Sequence, residues 1–349
     1  MRVDLLTPRH DSEYTAFLDG LGAVHPAVLG YHYPFNREML GEVEMGEALY
    51  LGAWSGGELV GVMPGFLRRS RAGAAYCSLP FFGPNAGVIC EPHGMEGAIH
   101  AALLGALGEL LSGVRGLLTA SFYTPFLFDR FELYERVMPE ALVVERATQY
   151  LFLPEARSDA RSRRLLATEP RPGVEIRTCV TPERVAEFYD VYLANCHASG
   201  IPVKPRRAVE AVMTRGTEAG RVRCYFAYHD GAMIAGLVAM WGPSTASYYI
   251  PCTRPAMRPL QPGTALAGRA VRDAALAGLR FWNWEGSPSR ESGVFRFKAK
   301  WGSLESRYRI YVRPYVPEEV FREIGADRLA AEFPNVYVYP HARLLQPVG

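Results

Sequence analysis

An internal repeat constrains the fold of this 349-residue chain more than any other feature. Tyr50-Leu51-Gly52-Ala53-Trp54-Ser55-Gly56-Gly57-Glu58-Leu59-Val60-Gly61 lies over Tyr225-Phe226-Ala227-Tyr228-His229-Asp230-Gly231-Ala232-Met233-Ile234-Ala235-Gly236, at an offset of 175 residues. Upstream, Thr7-Pro8 falls on Thr181-Pro182, and each pair opens a helical pattern. A period of half the chain means one duplicated domain rather than a solenoid of short repeats. The expected organisation is a first domain over 1–155, a linker over 156–172 and a second domain over 173–315. An extension over 316–349 is expected to pack back on the first domain. A site is expected in a cleft between the two pseudo-equivalent halves.

The repeat fits the size, since this length accommodates two domains of ordinary dimensions. A composition of 49% hydrophobic and 21% charged residues belongs to a folded chain and argues against a disordered one. No apolar run reaches the roughly 18 residues of a membrane span, and Met1–Asp11 lacks a signal-peptide core, so a cytoplasmic protein is expected. The six cysteines are scattered without a CxxC pair and read as core thiols. Cys90-Glu91-Pro92-His93 has ligand-like spacing but no second pair, so no metal site is expected. A net charge of +2 does not announce a nucleic-acid binder. Of 38 basic residues only Lys204, Lys298 and Lys300 are lysines. Two of them stand in Phe297-Lys298-Ala299-Lys300-Trp301-Gly302. A lysine is a compact charge whose pKa moves on burial, unlike arginine. These lysines read either as functional groups or as surface charges in a turn.

Each half reads helix, hairpin, strand, helix. In the first, Ser12–Leu21 is amphipathic, Leu49–Trp54 and Leu59–Phe66 are strands around Ser55-Gly56-Gly57, and Met95–Ser112 is an apolar helix. Strands are also expected over Ala75–Leu79, Gly87–Cys90, Leu117–Phe122 and Leu142–Leu153. The seam Glu155–Gly173 carries Arg157, Arg161, Arg163, Arg164 and Arg171, a composition that suits a solvated linker or a phosphate-facing arm. In the second half a helix over Glu183–Ala194 precedes the hairpin Cys224–His229 and Met233–Trp241. Ala246–Ile250 is a strand, Gly263–Ala277 a helix, Phe281–Glu285 and Ser306–Val312 strands. The tail is expected to hold a helix over Glu318–Ala331 and a strand over Val336–Tyr339. The pattern predicts an α/β (α+β) fold, two mixed sheets covered by helices.

This order resembles the GNAT acyltransferase fold, and its tandem form resembles the Fem-type peptidyltransferases. The residues that carry the resemblance are Ser78-Leu79-Pro80-Phe81-Phe82-Gly83 in the first half. In the second they are Tyr248-Tyr249, Gln261-Pro262-Gly263-Thr264, Phe281-Trp282-Asn283-Trp284-Glu285 and Phe297-Lys298-Ala299-Lys300-Trp301-Gly302. The last block is similar to the family's Phe-Lys-x-x-Phe-Gly. The resemblance implies transfer of an acyl or aminoacyl group to a small-molecule or peptide amine acceptor, in cell-wall or natural-product biosynthesis. It implies aminoacyl-tRNA as donor, with acyl-CoA the alternative and no covalently bound cofactor. A non-catalytic binding module of the same fold is a third reading.

Carried over residue by residue, Lys298 beside Phe297 is expected to stabilise the oxyanion or the departing 3′-oxygen. Alternation along Phe281–Glu285 puts Asn283 and Glu285 on one face and the two tryptophans on the other, so Glu285 reads either as a base or as an ion-pair partner of Arg290 or Arg296. Tyr249 is expected to face the pocket and Tyr248 the core. Lys204 and Arg206 are candidate contacts to an acceptor carboxylate or phosphate, with Tyr33 of Tyr31–Arg37 and Lys300 lining the same groove. Gln261, Gly263 and Thr264 stand where acetyl-CoA enzymes cradle pyrophosphate, but the loop is one residue short and Pro262 removes an N–H donor. That departure argues against CoA. The block Phe281–Gly302 has no counterpart in the first half, so the chemistry is expected in the second.

Overall fold

A computed structural model describes residues 1–80, 84–91, 94–154 and 164–344. Phe81-Phe82-Gly83, the Pro92-His93 end of the Cys-x-x-His pair, and Arg157, Arg161 and Arg163 of the expected linker lie outside the described residues.

The first part of the chain forms β1 (Arg2–Leu5), α1 (Asp11–Val24), α2 (Pro34–Glu42), β2 (Glu47–Ala48), β3 (Leu51–Ser55) and β4 (Glu58–Met63). There follow β5 (Phe66–Ser70), β6 (Gly73–Cys77), β7 (Ile89–Cys90), α3 (Glu96–Ser112), β8 (Leu117–Tyr123), α4 (Glu132–Val137) and β9 (Leu142–Phe152). The next elements are β10 (Val174–Arg177), α5 (Pro182–Ser199), α6 (Arg206–Glu218), β11 (Val222–His229), β12 (Ala232–Trp241), β13 (Thr245–Thr253) and α7 (Pro262–Leu276). Last come β14 (Phe281–Gly286), α8 (Gly293–Ala299), β15 (Leu304–Pro314), α9 (Glu318–Ile324), α10 (Ala326–Glu332) and α11 (His341–Leu344).

By contacts the residues fall into two units, Met1–Leu21 with Leu40–Arg146 and Arg307–Gly349, and Gly22–Met39 with Ala147–Ser306. The segment 22–39, assigned by the repeat to the first half, therefore clusters with the second. Two glycines explain its seat. A Cβ on Gly30 would come within 2.9 Å of the Trp241 amide nitrogen, and one on Gly242 within 2.3 Å of the Val28 carbonyl oxygen. Only side-chain-free residues let these two backbones touch. Thr245 Oγ1 closes the contact by donating to the Pro26 carbonyl at 3.0 Å.

The repeated hairpins, β3–β4 and β11–β12, share a detail beyond their glycines. Each has a register shift close to its turn, between Ala53 and Trp54 in one and between Ala227 and Tyr228 in the other, one residue apart in the alignment. In the first unit β1, β3, β4 and β7 form one sheet. A second sheet there pairs β2 with β5, β5 with β6, β6 with β8 and β8 with β15. Leu103, Leu107, Leu111 and Ile99 of α3 pack on this unit's core with Tyr76 and Phe122. Residues of the tail join it: Phe321, Leu329, Phe333 and Val338 cluster with Ala75 and Leu118. The single tail helix expected from the sequence is broken at Gly325, whose φ of 82° leaves the helical region. The strand expected over Val336–Tyr339 does not form; these residues pack as an irregular segment.

In the second unit the strands run β10-β11-β12-β13-β14, with residues 148–152 of β9 paired to β14. One face is covered by α7, whose Leu266, Ala270, Val271 and Ala274 pack on Leu237, Ala239 and Trp282. α5 begins at an N-cap, where Thr181 accepts from the Arg184 amide, and ends at Gly200 in the left-handed region, φ 63°. Four of the six cysteines, Cys77, Cys196, Cys224 and Cys252, are buried, whereas Cys179 is exposed. No described helix is long and apolar enough to cross a membrane.

Candidate functional site

The parallel strands β13 and β14 pair over only three residues, from Thr245↔Phe281 to Ser247↔Asn283. Beyond that point the ladder stops, although β13 runs on to Thr253 and β14 to Gly286. Two irregularities stand where they part. Against β12, Ala239 faces Tyr248 and Val238 faces Ile250, so Tyr249 is the extra residue of a bulge. A bulge leaves one residue outside the ladder and re-aims its side chain. On β14, Glu285 takes φ 59°, a left-handed conformation that costs a non-glycine residue about 1–3 kcal/mol.

The two strands sort their side chains as alternation predicts. Trp282 and Trp284 are fully buried in the core, and Tyr248 joins them with its ring 5.1 Å from Trp284. Tyr249 lies on the other face, its ring 5.8 Å from that of Tyr31. Asn283 and Glu285 share that second face and hold each other. Asn283 Nδ2 donates to Glu285 Oε1 at 3.0 Å and to Ser247 Oγ at 3.3 Å. The Glu285 amide returns a bond to Asn283 Oδ1 at 2.9 Å, and Thr148 Oγ1 donates to the Glu285 carbonyl at 3.1 Å. Asn283 and Ser247 are fully buried, whereas Glu285 keeps 9% exposure. The carboxylate is thus fixed by an amide yet still reachable. Burial, then the Glu285 charge, holds the Tyr249 phenol well above its usual pKa, so it keeps its proton.

Lys298 sits on α8, a helix started by Ser292, whose Oγ accepts from the Phe295 amide. Its ammonium donates to the Glu285 carbonyl at 3.0 Å, the Gly286 carbonyl at 2.8 Å and Ser287 Oγ at 3.0 Å. An ammonium has three protons, and all three are spent. The side chain is 2% exposed. This geometry leaves no donor for an oxyanion, the role its sequence position suggests, and makes Lys298 the clamp on the end of β14. Burial pushes its pKa down to about 8 against the opposing pull of Glu285. Phe297 packs in the aromatic core, 6.0 Å from Trp284 and 6.2 Å from Trp301, rather than beside Glu285. Lys300 is exposed at the end of α8.

The remaining expected residues scatter. Lys204 is half-buried in the α5–α6 connection, its backbone held by Tyr189 Oη at 2.9 Å and Tyr192 Oη at 3.3 Å. Burial lowers its amine to about 8. Arg206 is exposed and pairs with Glu210 at 2.6 Å, an ordinary helix-surface ion pair. Tyr33 lies beneath the Arg221 guanidinium at 3.7 Å, and it is Tyr31 from the same segment that meets Tyr249. At the start of α7, Gln261 has φ 53° and Pro262 offers no N–H. The Thr264 and Ala265 amides donate to the Gln261 carbonyl at 3.1 and 3.3 Å, and Thr264 Oγ1 lies 3.4 Å from Gln261 Oε1. Only the Gly263 amide of this turn is uncommitted to Gln261, a poor cradle for an anion that needs several converging donors. Ser247 and Thr148 complete the site without having been singled out in the sequence, and Tyr31, from the segment expected to line the groove, takes the place given to Tyr33. Alternation from Tyr249 pointed to Ser247, whereas Thr148 depends on a strand pairing that no local pattern reveals.

Residues 155–288 match the acetyltransferase (GNAT) domain family. No curated protein matches the chain. Among solved structures, FemX superposes with a TM-score of 0.68 at 13% identity, covering 93% of this chain and 99% of that one. A tandem GNAT protein from the clavulanic acid biosynthesis pathway gives 0.51 at 17% identity, covering 91% and 100%. A GNAT-family acetyltransferase from Colwellia psychrerythraea gives 0.54 at 11% identity, covering 90% and 100%. The parting strands, the bulge and the flanking helix therefore belong to a tandem GNAT fold similar to that of FemX, with the GNAT domain pattern carried by residues 155–288.

Proposed function

We propose that this chain is an N-acyltransferase that moves an amino acid from aminoacyl-tRNA to an amine acceptor. The observation that carries the reading is the buried, amide-held Glu285 carboxylate where β13 and β14 part. An acceptor amine arrives protonated and cannot attack until it loses a proton. Glu285 accepts that proton, the amine nitrogen bonds to the ester carbonyl carbon, and the bond to the 3′-oxygen breaks. The nitrogen gives up a second proton as the amide forms, and that proton leaves on the 3′-oxygen, while the one held by Glu285 returns to solvent. A positioned base of this kind contributes about 10²–10⁴-fold. Tyr249 and Asn283 position the carboxylate and the substrate edge. Lys298 acts as a positioning residue, because its three bonds keep Glu285 in its left-handed turn.

Charge supports a polyanionic donor on the second unit. Its residues, 22–39 and 147–306, include 23 arginines and lysines against 15 acids, whereas the first unit has 15 against 21. The short supply of amides at the start of α7 favours tRNA over CoA as that polyanion. The GNAT domain match over 155–288 is what favours acyl-CoA, the second reading. A reconstituted reaction with charged tRNA and amine acceptors separates them. Product formation is expected to stop once RNase has digested the tRNA. Product that persists after complete digestion, or that requires acyl-CoA, overturns the tRNA donor.

A further inference from the structure

The edge strand of the second unit stops early. β10 ends at Arg177, opposite Phe226, so Val222–Tyr225 of β11 run on without a neighbour from it. The chain turns away through Thr178 and Val180, and a cavity of about 180 Å³ opens between this turn, β11 and α7. That volume holds about six waters, enough for a tetrahedral oxyanion and too little for a nucleotide.

The walls carry an excess of positive charge. Arg223 lies over the Trp241 ring, 4.8 Å from its centroid, and among the described residues no carboxylate pairs with it. Stacking fixes the plane of the guanidinium while leaving its N–H fork available, a geometry that matches oxyanions. Arg269 stands across the cavity, its Nε donating to both oxygens of Asp273 at 2.9 and 3.1 Å. Tyr225 is 1% exposed, and its hydroxyl meets no partner at full hydrogen-bond geometry among the described residues, although burial and the nearby Asp273 carboxylate hold its proton in place. A buried unsatisfied hydroxyl marks a place where a ligand or water belongs. Thr178 adds a second hydroxyl.

We propose that this cavity binds a small oxyanion, a phosphate or a carboxylate, on Arg223 with Tyr225 and Thr178 as neutral partners. Asp273 opposes the ligand by its charge and by engaging Arg269, so it sets the affinity low. The site is separate from Glu285 and stands whether or not the chain transfers acyl groups.

The test is calorimetric titration of the full chain at low ionic strength with inorganic phosphate and, separately, with acetate. One saturable site is expected for one of the two, and which anion binds identifies the class. Arg223→Ala should weaken it about tenfold, the equivalent of one charge-assisted hydrogen bond. Asp273→Asn should tighten it severalfold by removing the opposing charge and freeing Arg269. Arg115→Ala, an exposed arginine of the first unit, should leave it unchanged. Absence of saturable binding by either anion overturns the proposal. Equal losses in Arg223→Ala and Arg115→Ala do so too, since they would reduce the effect to bulk charge.

Discussion

Both units build the same bulged hairpin, yet they use the next strands differently. In the second unit the strand after the hairpin, β13, meets the strand after the helix, β14, for three residue pairs and then parts from it. In the first unit the strand that pairs with β4 of the hairpin is the two-residue β7, and β8 pairs instead with β6 from Ala74↔Leu117 to Cys77↔Ser121. That pairing is prolonged by the Ser78 amide on the Ser121 carbonyl at 3.0 Å and by Ser78 Oγ accepting from the Tyr123 amide at 2.8 Å. The first unit thus stays zipped where the second opens. Charge divides the same way, with a formal excess of acids in one and of bases in the other. The comparison teaches that one hairpin frame can be followed by different strand pairings, and that an interrupted ladder with a carboxylate at the interruption is what sets the second unit apart.

The sharpest way to break this contrast is Glu285→Gln. It keeps size and hydrogen bonding but removes the base, so turnover should fall about 10²–10⁴-fold with little change in thermal stability. Ser78→Ala, at the matching place in the first unit, should leave turnover near wild type. Equal losses in the two variants would end the assignment of chemistry to one unit.

Lys298 gives the next effect. Lys298→Met leaves the Gly286 carbonyl and the Ser287 hydroxyl without this donor, at roughly 1–3 kcal/mol for each buried group left unmet, while the Glu285 carbonyl keeps Thr148 Oγ1. A kcat loss of about tenfold or more with KM nearly unchanged is expected, because the variant disturbs the position of Glu285 rather than substrate binding. The pH profile separates positioning from mere stability. With its pKa lowered by burial to about 8, Lys298 loses a proton and one bond as pH rises through that value, so wild-type kcat should fall there. In Lys298→Arg the guanidinium does not titrate, and that alkaline limb should vanish. Stability moves oppositely. The folded lysine releases its proton more easily than the unfolded one, so the unfolded state holds more protons above pH 8, and stability rises until the ordinary lysine pKa is reached. An alkaline limb unchanged in Lys298→Arg would show that the limb belongs to another group.

The smallest effect expected is electrostatic. Arg258→Glu, on the basic unit, should raise the KM for charged tRNA severalfold and lessen its dependence on salt. Arg115→Glu on the acidic unit should change neither. If the two substitutions act alike, the segregation of charge has no bearing on donor binding.

The repeat made the hairpins and their flanking helices legible, because glycine pairs and apolar periodicity are local signals. Alternation likewise placed Trp282 and Trp284 inward and Asn283 and Glu285 outward. The work of Lys298 was not legible: a Phe-Lys motif names a residue, but the three acceptors that consume its protons come from the end of another element. Arg206 looked like a ligand for the same reason, since nothing near it in sequence distinguishes a surface pair with Glu210 from an acceptor contact. Tyr33 and Tyr31 are two residues apart, and which of them meets Tyr249 depends on Arg221, distant in sequence. The turn at Gln261 was read correctly as short of amides because proline's missing N–H is a property of the residue itself.

The seat of Gly30 against Trp241 has a consequence for how the chain is made. Residues 22–39 leave the ribosome long before the strands they join, and the first unit in turn waits for Arg307 and beyond. Each unit is assembled from segments separated by residues of the other, so the first cannot fold to completion before the second has been synthesised. Early segments must stay soluble while their partners are absent, and closing such long loops makes folding slow. A protein that reads as two copies therefore cannot be cut cleanly into them at the middle of its sequence.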